Sequence, residues 1–132
     1  DLSKWSTDNL TNVMDGNSGY GAFGDCSSLT TLNVTGWNVS KVTNMNQLFR
    51  GCANLKVLDL SSWDMSKVTT INRFFDYGQK LKTVKLPELT DSIVTTIFSV
   101  GFVPSTMDVY VKSESNKDAV LAKKPNYNVI IY

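Results

Sequence analysis

Leu29-Thr-Thr-Leu-Asn-Val-Thr-Gly-Trp37-Asn-Val-Ser-Lys41 occurs a second time, with few changes, as Leu55-Lys-Val-Leu-Asp-Leu-Ser-Ser-Trp63-Asp-Met-Ser-Lys67. Leu81 begins a third copy, and the step from Leu55 to Leu81 equals the step from Leu29 to Leu55. A fixed period of this length is typical of proteins in which each repeat forms one coil stacked on the previous coil. The sequence therefore predicts a short solenoid.

The same register divides the chain into segments of a single domain. The segments are a truncated repeat with an insertion (1–28), two full repeats (29–54 and 55–80), degenerate repeats (81–111) and a C-terminal cap (112–132). The insertion of six residues falls in the glycine-rich stretch 15–21. Insertions in solenoids map to loops, often on the binding face, so we expect a surface loop here.

Two local patterns predict the elements of each coil. Leu-x-x-Leu-x-Val/Leu at the start of a repeat places apolar side chains on one face and predicts short stacked parallel strands. Residues 43–51 have polar capping candidates and a final glycine, and they predict about two helical turns. Residues 113–124 predict a capped helix and residues 127–132 a final strand. The predicted fold class is α/β, with 26-residue coils, short helical turns and a C-terminal α/β cap.

Composition narrows the possible functions. Thirteen basic and twelve acidic residues leave a net charge of +1, which gives no reason to expect a nucleic acid or an anionic membrane as partner. The longest apolar runs are far shorter than the roughly 18 residues of a membrane span. Histidine is absent, and with it the commonest general base and metal ligand. We therefore expect no enzyme activity, no cofactor, no metal and no membrane insertion.

Cys26 and Cys52 occupy the same position in successive coils. Neighbouring parallel strands lie about 4.8 Å apart, and this spacing is compatible with a disulfide. Two buried thiols that fill the same structural niche are the preferred interpretation. A zinc site is disfavoured because two sulfurs without histidine are too few ligands.

Two further columns of residues allow either a structural or a binding role. Asn33 and Asp59, and likewise Asn38 and Asp64, supply oxygens of the kind that bind calcium, but we favour caps of the turns after the strands. Trp5, Trp37 and Trp63 either face outward as a ladder for sugars or proteins, or pack inward as core. The inward interpretation is preferred, because a residue at one place in every coil usually fills the coil.

The run Leu58-Asp-Leu-Ser-Ser-Trp63-Asp-Met-Ser-Lys-Val-Thr69 resembles the BspA-like leucine-rich repeat of bacterial surface proteins, a type grouped with mycoplasma surface lipoproteins and Gram-positive wall proteins. Residues 29–80 match it closely, residues 1–28 with an insertion, and residues 81–111 loosely. The third copy departs from the pattern because Lys85 replaces the aspartate and no Trp or Cys appears. The resemblance implies a secreted domain, displayed on the cell wall through its parent chain, with no shared catalytic residues.

Together, the residues and the resemblance predict an extracellular binding or adhesion module that recognises a host-surface or matrix protein or a glycan. We expect it to be a monomeric domain of a larger chain. The residues predicted to meet the ligand are Tyr20, Trp37, Asn38, Trp63 and Asp64. The alternatives are a structural spacer or stalk, and a carbohydrate-binding accessory module of a larger enzyme.

Overall fold

A parallel sheet and two helices form the regular part of the fold in the computed structural model, which describes residues 1–14, 19–99, 101 and 103–132. The strands are β1 (Val57–Asp59), β2 (Thr83–Lys85), β3 (Asp108–Val111) and β4 (Asn128–Ile131), and the helices are α1 (Asp91–Ser99) and α2 (Glu114–Lys123). The four strands form one sheet in the order β1-β2-β3-β4, and every pair is parallel. The predicted α/β class is confirmed.

The strand pairing reproduces the register of the sequence. Leu58 pairs with Val84, which lies one full period later in the sequence. Val84 in turn pairs with Val109, which follows it by one residue less than a full period. All three side chains are fully buried, as expected for the inward face of strands whose side chains alternate. Val109 also pairs with Val129 of β4. The strands predicted in the second and third repeats are therefore confirmed, and so are the helix and the strand predicted at the C-terminus.

The helical turns predicted for residues 43–51 are wrong. This segment forms tight turns, in which Gln47 and Gly51 have positive φ angles of 56° and 74°. Its backbone N–H groups bond to carbonyls of the next repeat instead of continuing up a helix: Met45 to Thr70, Gln47 to Asn72 and Phe49 to Phe74, at 2.8 to 3.0 Å. Bonding between repeats thus replaces bonding within a helix. The strand predicted at the start of the first full repeat is also wrong, because residues 29–34 form no strand. A backbone hydrogen bond from Leu2 N–H to the Asn33 carbonyl connects this segment to the preceding repeat.

The helix α1 lies where the sequence predicted only a degenerate coil. It packs against α2, and the buried Asn116 of α2 fixes the two together. The Asn116 side-chain amide donates to the Leu89 carbonyl at 2.9 Å and to Asp91 Oδ1 at 3.2 Å. At the start of α2, the Ser113 side chain accepts a hydrogen bond from Asn116 N–H, as an N-cap does. In the part of the chain that is described, neither helix is long and apolar enough to cross a bilayer.

Aromatic rings from successive sequence repeats lie against one another. The rings of Trp5 and Trp37 stack at 6.2 Å, those of Trp37 and Trp63 at 6.3 Å, and those of Phe23 and Phe49 at 5.4 Å. Trp37 and Trp63 are buried, whereas Trp5 at the end of the column is 61% exposed. The core interpretation is thus confirmed for Trp37 and Trp63.

The two cysteines are free thiols, as the preferred interpretation predicted. Cys52 is buried as predicted, whereas Cys26 at the edge of the core is only partly buried. The Cys52 thiol donates to the Phe23 carbonyl at 3.2 Å. Burial raises the pKa of Cys52 to about 12, because an apolar environment disfavours the thiolate. Cys52 is therefore a packing residue that also satisfies a carbonyl of the preceding repeat.

Candidate binding surface

The five residues predicted to contact a ligand fall in two places. One place holds Trp37, Asn38, Trp63 and Asp64, where the two tryptophan rings stack on each other. Tyr20 lies elsewhere, with its ring centre 4.9 Å from the Arg50 guanidinium carbon. The structure therefore brings four of the five predicted residues together and separates the fifth.

The two tryptophans at this corner serve the fold. Trp37 is 7% exposed and Trp63 is 3% exposed. Their indole N–H groups donate to backbone carbonyls of the preceding segment, Trp37 to Leu2 at 2.9 Å and Trp63 to Val34 at 3.2 Å. Both the ring and its polar atom are thus used inside the protein. The alternative interpretation, in which the tryptophans face outward as a ladder, is therefore wrong for these two residues. Of the three tryptophans, only Trp5 is exposed.

Asn38 and Asp64 are exposed and cap turns. Asn38 Oδ1 accepts from Ser40 N–H at 3.2 Å and from Ser40 Oγ at 2.7 Å, and Asp64 Oδ1 accepts from Ser66 N–H at 3.0 Å. The hydrogen bonds from the Ser66 side chain and backbone hold the pKa of Asp64 below its usual range. The turn-cap interpretation is confirmed, and it extends to Asn33 and Asp59, which accept from Thr35 and Ser61. In the described residues, no three cysteines or carboxylates are grouped closely enough to hold a metal ion.

A cleft of about 520 Å³ opens beside Trp63 and Asp64, at the carboxyl ends of β1 and β2. In sequence register, Leu89 takes the place that tryptophan has in the earlier repeats. The smaller side chain ends the ring column and leaves room for the cleft. The lining combines apolar side chains (Trp63, Met65, Val68, Pro87, Leu89, Ile93) with polar ones (Ser61, Ser62, Asp64, Ser66, Glu88, Thr90, Lys112).

The polar groups of the cleft include both acceptors and a cation. Asp64 and Glu88 supply carboxylates, and Lys112 supplies an ammonium group. Glu88 Oε1 accepts a hydrogen bond from Ser113 Oγ at 3.2 Å, which orients that carboxylate. Apolar walls with a few convergent polar groups are the usual composition of small-ligand sites. The cleft therefore suits an uncharged or zwitterionic polar ligand with an apolar face.

A group of tyrosines and lysines on the outer face of the sheet adjoins the cleft. We call Asp59, Lys85, Tyr110, Lys112 and Tyr132 the tyrosine–lysine patch. Lys85 Nζ lies 5.9 Å and 5.4 Å from the ring centres of Tyr110 and Tyr132, and 3.8 Å from Asp59 Oδ2. Lys112 Nζ lies 5.8 Å from the Tyr132 ring centre. Because Lys112 also lines the cleft, the two features form one continuous surface.

Sequence reasoning missed this patch, although a signal was present. The same position of three successive repeats is occupied by Asp59, Lys85 and Tyr110, and these residues pair in adjacent strands. An outward position that changes in every repeat is not needed for stacking. The difference between the residues at this position was therefore a signal that this part of the surface is not needed for packing between repeats.

Tyr20 belongs to a contact within the protein. The Arg50 guanidinium carbon lies 4.9 Å from the ring centre of Tyr20 and 5.0 Å from that of Tyr77, and Arg50 Nη1 is 3.5 Å from Asp25 Oδ1. This cation–π arrangement connects three repeats.

The predicted binding loop 15–21 begins after Met14, which forms an antiparallel bridge with Gly21. Residues 15–18 of that loop lie outside the described residues, so its binding role stays a prediction.

These contacts define the class of the protein: an α/β protein built from sequence repeats, with a cleft where the repeats change. The chain belongs to the family described as "Mycoplasma protein of unknown function, DUF285", whose model matches residues 17–99 and thus more than half of the 132 residues. The matched region contains both full repeats and α1, and it ends before β3. No curated protein and no solved structure matches the chain.

Proposed function

We propose that the chain is an extracellular binding module of a bacterial surface protein, folded as a short BspA-like leucine-rich-repeat solenoid and held at the cell wall through a longer parent chain. The ligand is a host-surface protein, a matrix protein or a glycan. The module acts by binding and carries out no catalysis. The surface location rests on the resemblance of the two full repeats to BspA-like repeats, and on membership of a mycoplasma family.

The solenoid part of the proposal is supported by contacts that repeat along the chain. Backbone hydrogen bonds join Phe23 to Leu48 and Phe49 to Phe74, which are equivalent pairs in successive repeats. Strand pairing likewise advances from one repeat to the next, from β1 to β2 and from β2 to β3. Each repeat thus meets its neighbours through the same positions, which is the arrangement of a stacked coil.

The observation that carries the proposed function is the continuity of the cleft with the tyrosine–lysine patch. Tyrosine provides a large amphipathic contact surface at a low cost in conformational entropy, and it is enriched at recognition surfaces. Tyr132 is 45% exposed, and its hydroxyl group donates to the Leu86 carbonyl at 2.8 Å, so the ring is held in place. A pre-oriented ring loses less freedom when a ligand binds.

The geometry suggests how each group contacts the ligand. The ring surface of Tyr110 and Tyr132 that Lys85 and Lys112 leave uncovered packs against an apolar surface, such as the C–H face of a sugar or an aliphatic side chain. Asp64 and Glu88 accept hydrogen bonds from hydroxyl or amino groups that reach into the cleft, and Lys112 donates to a carbonyl or carboxylate. The ligand therefore spans the sheet face and ends in the cleft.

A glycan array and a panel of matrix proteins, probed with the whole chain, test the proposal. We expect at least one ligand, and we expect the double variant Asp64→Asn/Lys112→Ala to weaken its binding by about tenfold. Asparagine keeps the turn cap, as Asn38 shows in the preceding repeat. The matched control is Asp118→Asn/Lys123→Ala, which makes the same charge changes on exposed positions of α2 and should stay within about twofold.

The two alternatives give different outcomes. A spacer or stalk is favoured by how fully the repeating residues are used in contacts within the protein, and it predicts no binding by a correctly folded chain on either panel. A carbohydrate-binding accessory module predicts retention on polysaccharides only. Binding that persists in Asp64→Asn/Lys112→Ala would place the ligand elsewhere and overturn the assignment of the cleft.

A further inference from the structure

Three lysines lie together where the strands begin, at the end of the sheet opposite the cleft. Lys56 directly precedes β1, Lys82 directly precedes β2, and Lys82 N–H donates to the Lys56 carbonyl at 2.8 Å. Lys80 lies shortly before Lys82, with its Nζ 2.7 Å from Asn54 Oδ1. All three side chains are exposed. We call these three residues the lysine corner.

The lysine corner forms no ion pair among the described residues, although the Asp108 carboxylate lines the same hollow as Lys82. Among the described residues, the ion pairs join Arg50 to Asp25, Lys85 to Asp59 and Lys117 to Glu114, and none involves the lysine corner. Three ammonium groups on adjacent repeats create a local positive potential, although the whole chain has a net charge of only +1. Such a potential attracts an anionic partner.

A shallow hollow of about 270 Å³ lies beside Lys82, the one member of the lysine corner that lines it. Lys82 lines it together with Thr106, Met107, Asp108, Asn126 and Asn128. Asn128 Nδ2 donates to Asp108 Oδ1 at 3.0 Å, so the carboxylate is oriented and still has acceptor capacity. A hydroxyl group, two amides and a carboxylate are the groups that hydrogen-bond to sugar hydroxyls.

We propose that the lysine corner and its hollow bind one acidic sugar unit of a polyanionic glycan. The lysine ammonium groups contact its sulfate or carboxylate groups, and Thr106, Asn126 and Asn128 contact its hydroxyls. Lysine suits this role because it is a compact point charge on a flexible stem. The site is separate from the cleft and does not depend on the function proposed for it.

Other anionic partners fit the corner less well. Electrostatic attachment to an anionic membrane uses clusters of about four to eight basic residues, and the corner has three. Single-stranded nucleic acid is held by aromatic stacking along a basic groove. The polar groups that line the hollow beside Lys82 match a sugar better than a phosphate backbone.

Calorimetric titration of the whole chain with a size-defined heparin oligosaccharide tests the proposal. We expect binding that weakens as salt is raised, and that falls by about tenfold in Lys56→Gln/Lys80→Gln/Lys82→Gln. The control Lys4→Gln/Lys67→Gln/Lys123→Gln removes the same charge from exposed positions and should stay within about twofold. A hyaluronan oligosaccharide of equal length separates carboxylate from sulfate recognition, and binding of either probe supports the site.

A second variant separates sugar recognition from attraction of charge alone. Asn126→Ala should weaken heparin binding by about threefold and leave binding to inorganic polyphosphate unchanged. Three results would overturn the proposal: no binding by the unaltered chain, equal losses in the two triple-lysine variants, or equally tight binding to phosphatidylserine vesicles or duplex DNA. Circular dichroism of each variant verifies that it is folded.

Discussion

Residues 29–80 and residues 81–132 are stabilised in different ways. In the first region, contacts join equivalent positions of successive repeats: Trp37 stacks on Trp63, and Asn46 Oδ1 accepts from Asn72 N–H at 2.7 Å. In the second region, the strands still pair in register, but the helices are held by residues that occur once, such as the buried Asn116. The cleft lies where one mode gives way to the other. The difference teaches that repetition stabilises the stack, whereas departure from it creates surface features.

Removal of a stacked ring should have the largest effect on this comparison. We expect Trp63→Ala to lower the free energy of unfolding by about 3–5 kcal/mol, because it leaves a cavity and loses the bond to the Val34 carbonyl. Trp5→Ala, at the exposed end of the same column, should cost less than about 1 kcal/mol. Urea unfolding followed by far-ultraviolet circular dichroism measures both. Equal losses would mean that the column does not stabilise the first region through burial.

The corresponding test in the second region is Asn116→Ala. Its amide bonds to the Leu89 N–H and carbonyl and to Asp91, and the change leaves buried partners unpaired. We expect a loss of about 2–3 kcal/mol, against less than about 0.5 kcal/mol for the exposed Asn126→Ala. Hydrogen exchange should show lost protection in α1 and α2 but not in residues 45–76. Loss of protection throughout the chain would indicate that the two regions unfold as one unit.

A rise from pH 9 to pH 10 should produce the smallest effect, and one residue in each region reports the onset of the pH dependence. Burial raises the pKa of Cys52 and the pKa of Tyr127 to about 12 each. In the unfolded chain these groups lose their protons near pH 9 and 10. Between those values and pH 12 the folded state binds more protons than the unfolded chain. The contribution of the two groups to the free energy of unfolding is therefore fully present below pH 9 and decreases as the pH rises.

The expected loss is at most roughly 1.4 kcal/mol per pH unit for each group. Cys52→Ala should remove the part of the pH dependence that begins near pH 9, and Tyr127→Phe the part that begins near pH 10. Urea unfolding at a series of pH values measures both. Unchanged pH profiles in the two variants would contradict burial of these groups as the cause.

Much of the fold follows from the repeat, because a fixed register determines which residues face inward. It predicted short parallel strands stacked from repeat to repeat, and Leu58 does pair with Val84, which pairs with Val109. The turns of residues 43–51 could not be predicted from local pattern, because their hydrogen bonds go to another repeat. Local propensity favoured a helix there, and contacts between repeats override it.

The candidate site was less predictable than the fold. We selected Trp63 and Asp64 because equivalent residues occur in the preceding repeat. The reason for that repetition is structural, since Trp63 is buried and Asp64 caps a turn. Lys112 and Tyr132 gave no periodic signal, and only the folded chain brings Lys112 Nζ to 5.8 Å from the Tyr132 ring centre. A surface made of residues from separate repeats becomes visible only after the strands are placed side by side.

The hydrogen bond from the Trp63 indole to the Val34 carbonyl has a consequence for how such chains change length. Since donor and acceptor are in neighbouring repeats, a duplicated copy of residues 29–54 would find the same partners on both sides and extend the stack by about 4.8 Å. A shift of the strand pairing by one residue would turn inward positions outward, whereas the shorter step from Val84 to Val109 leaves both side chains buried. Duplication of a whole repeat would therefore lengthen this domain without changing the contacts between repeats, and each added copy would carry the cleft farther from the N-terminus.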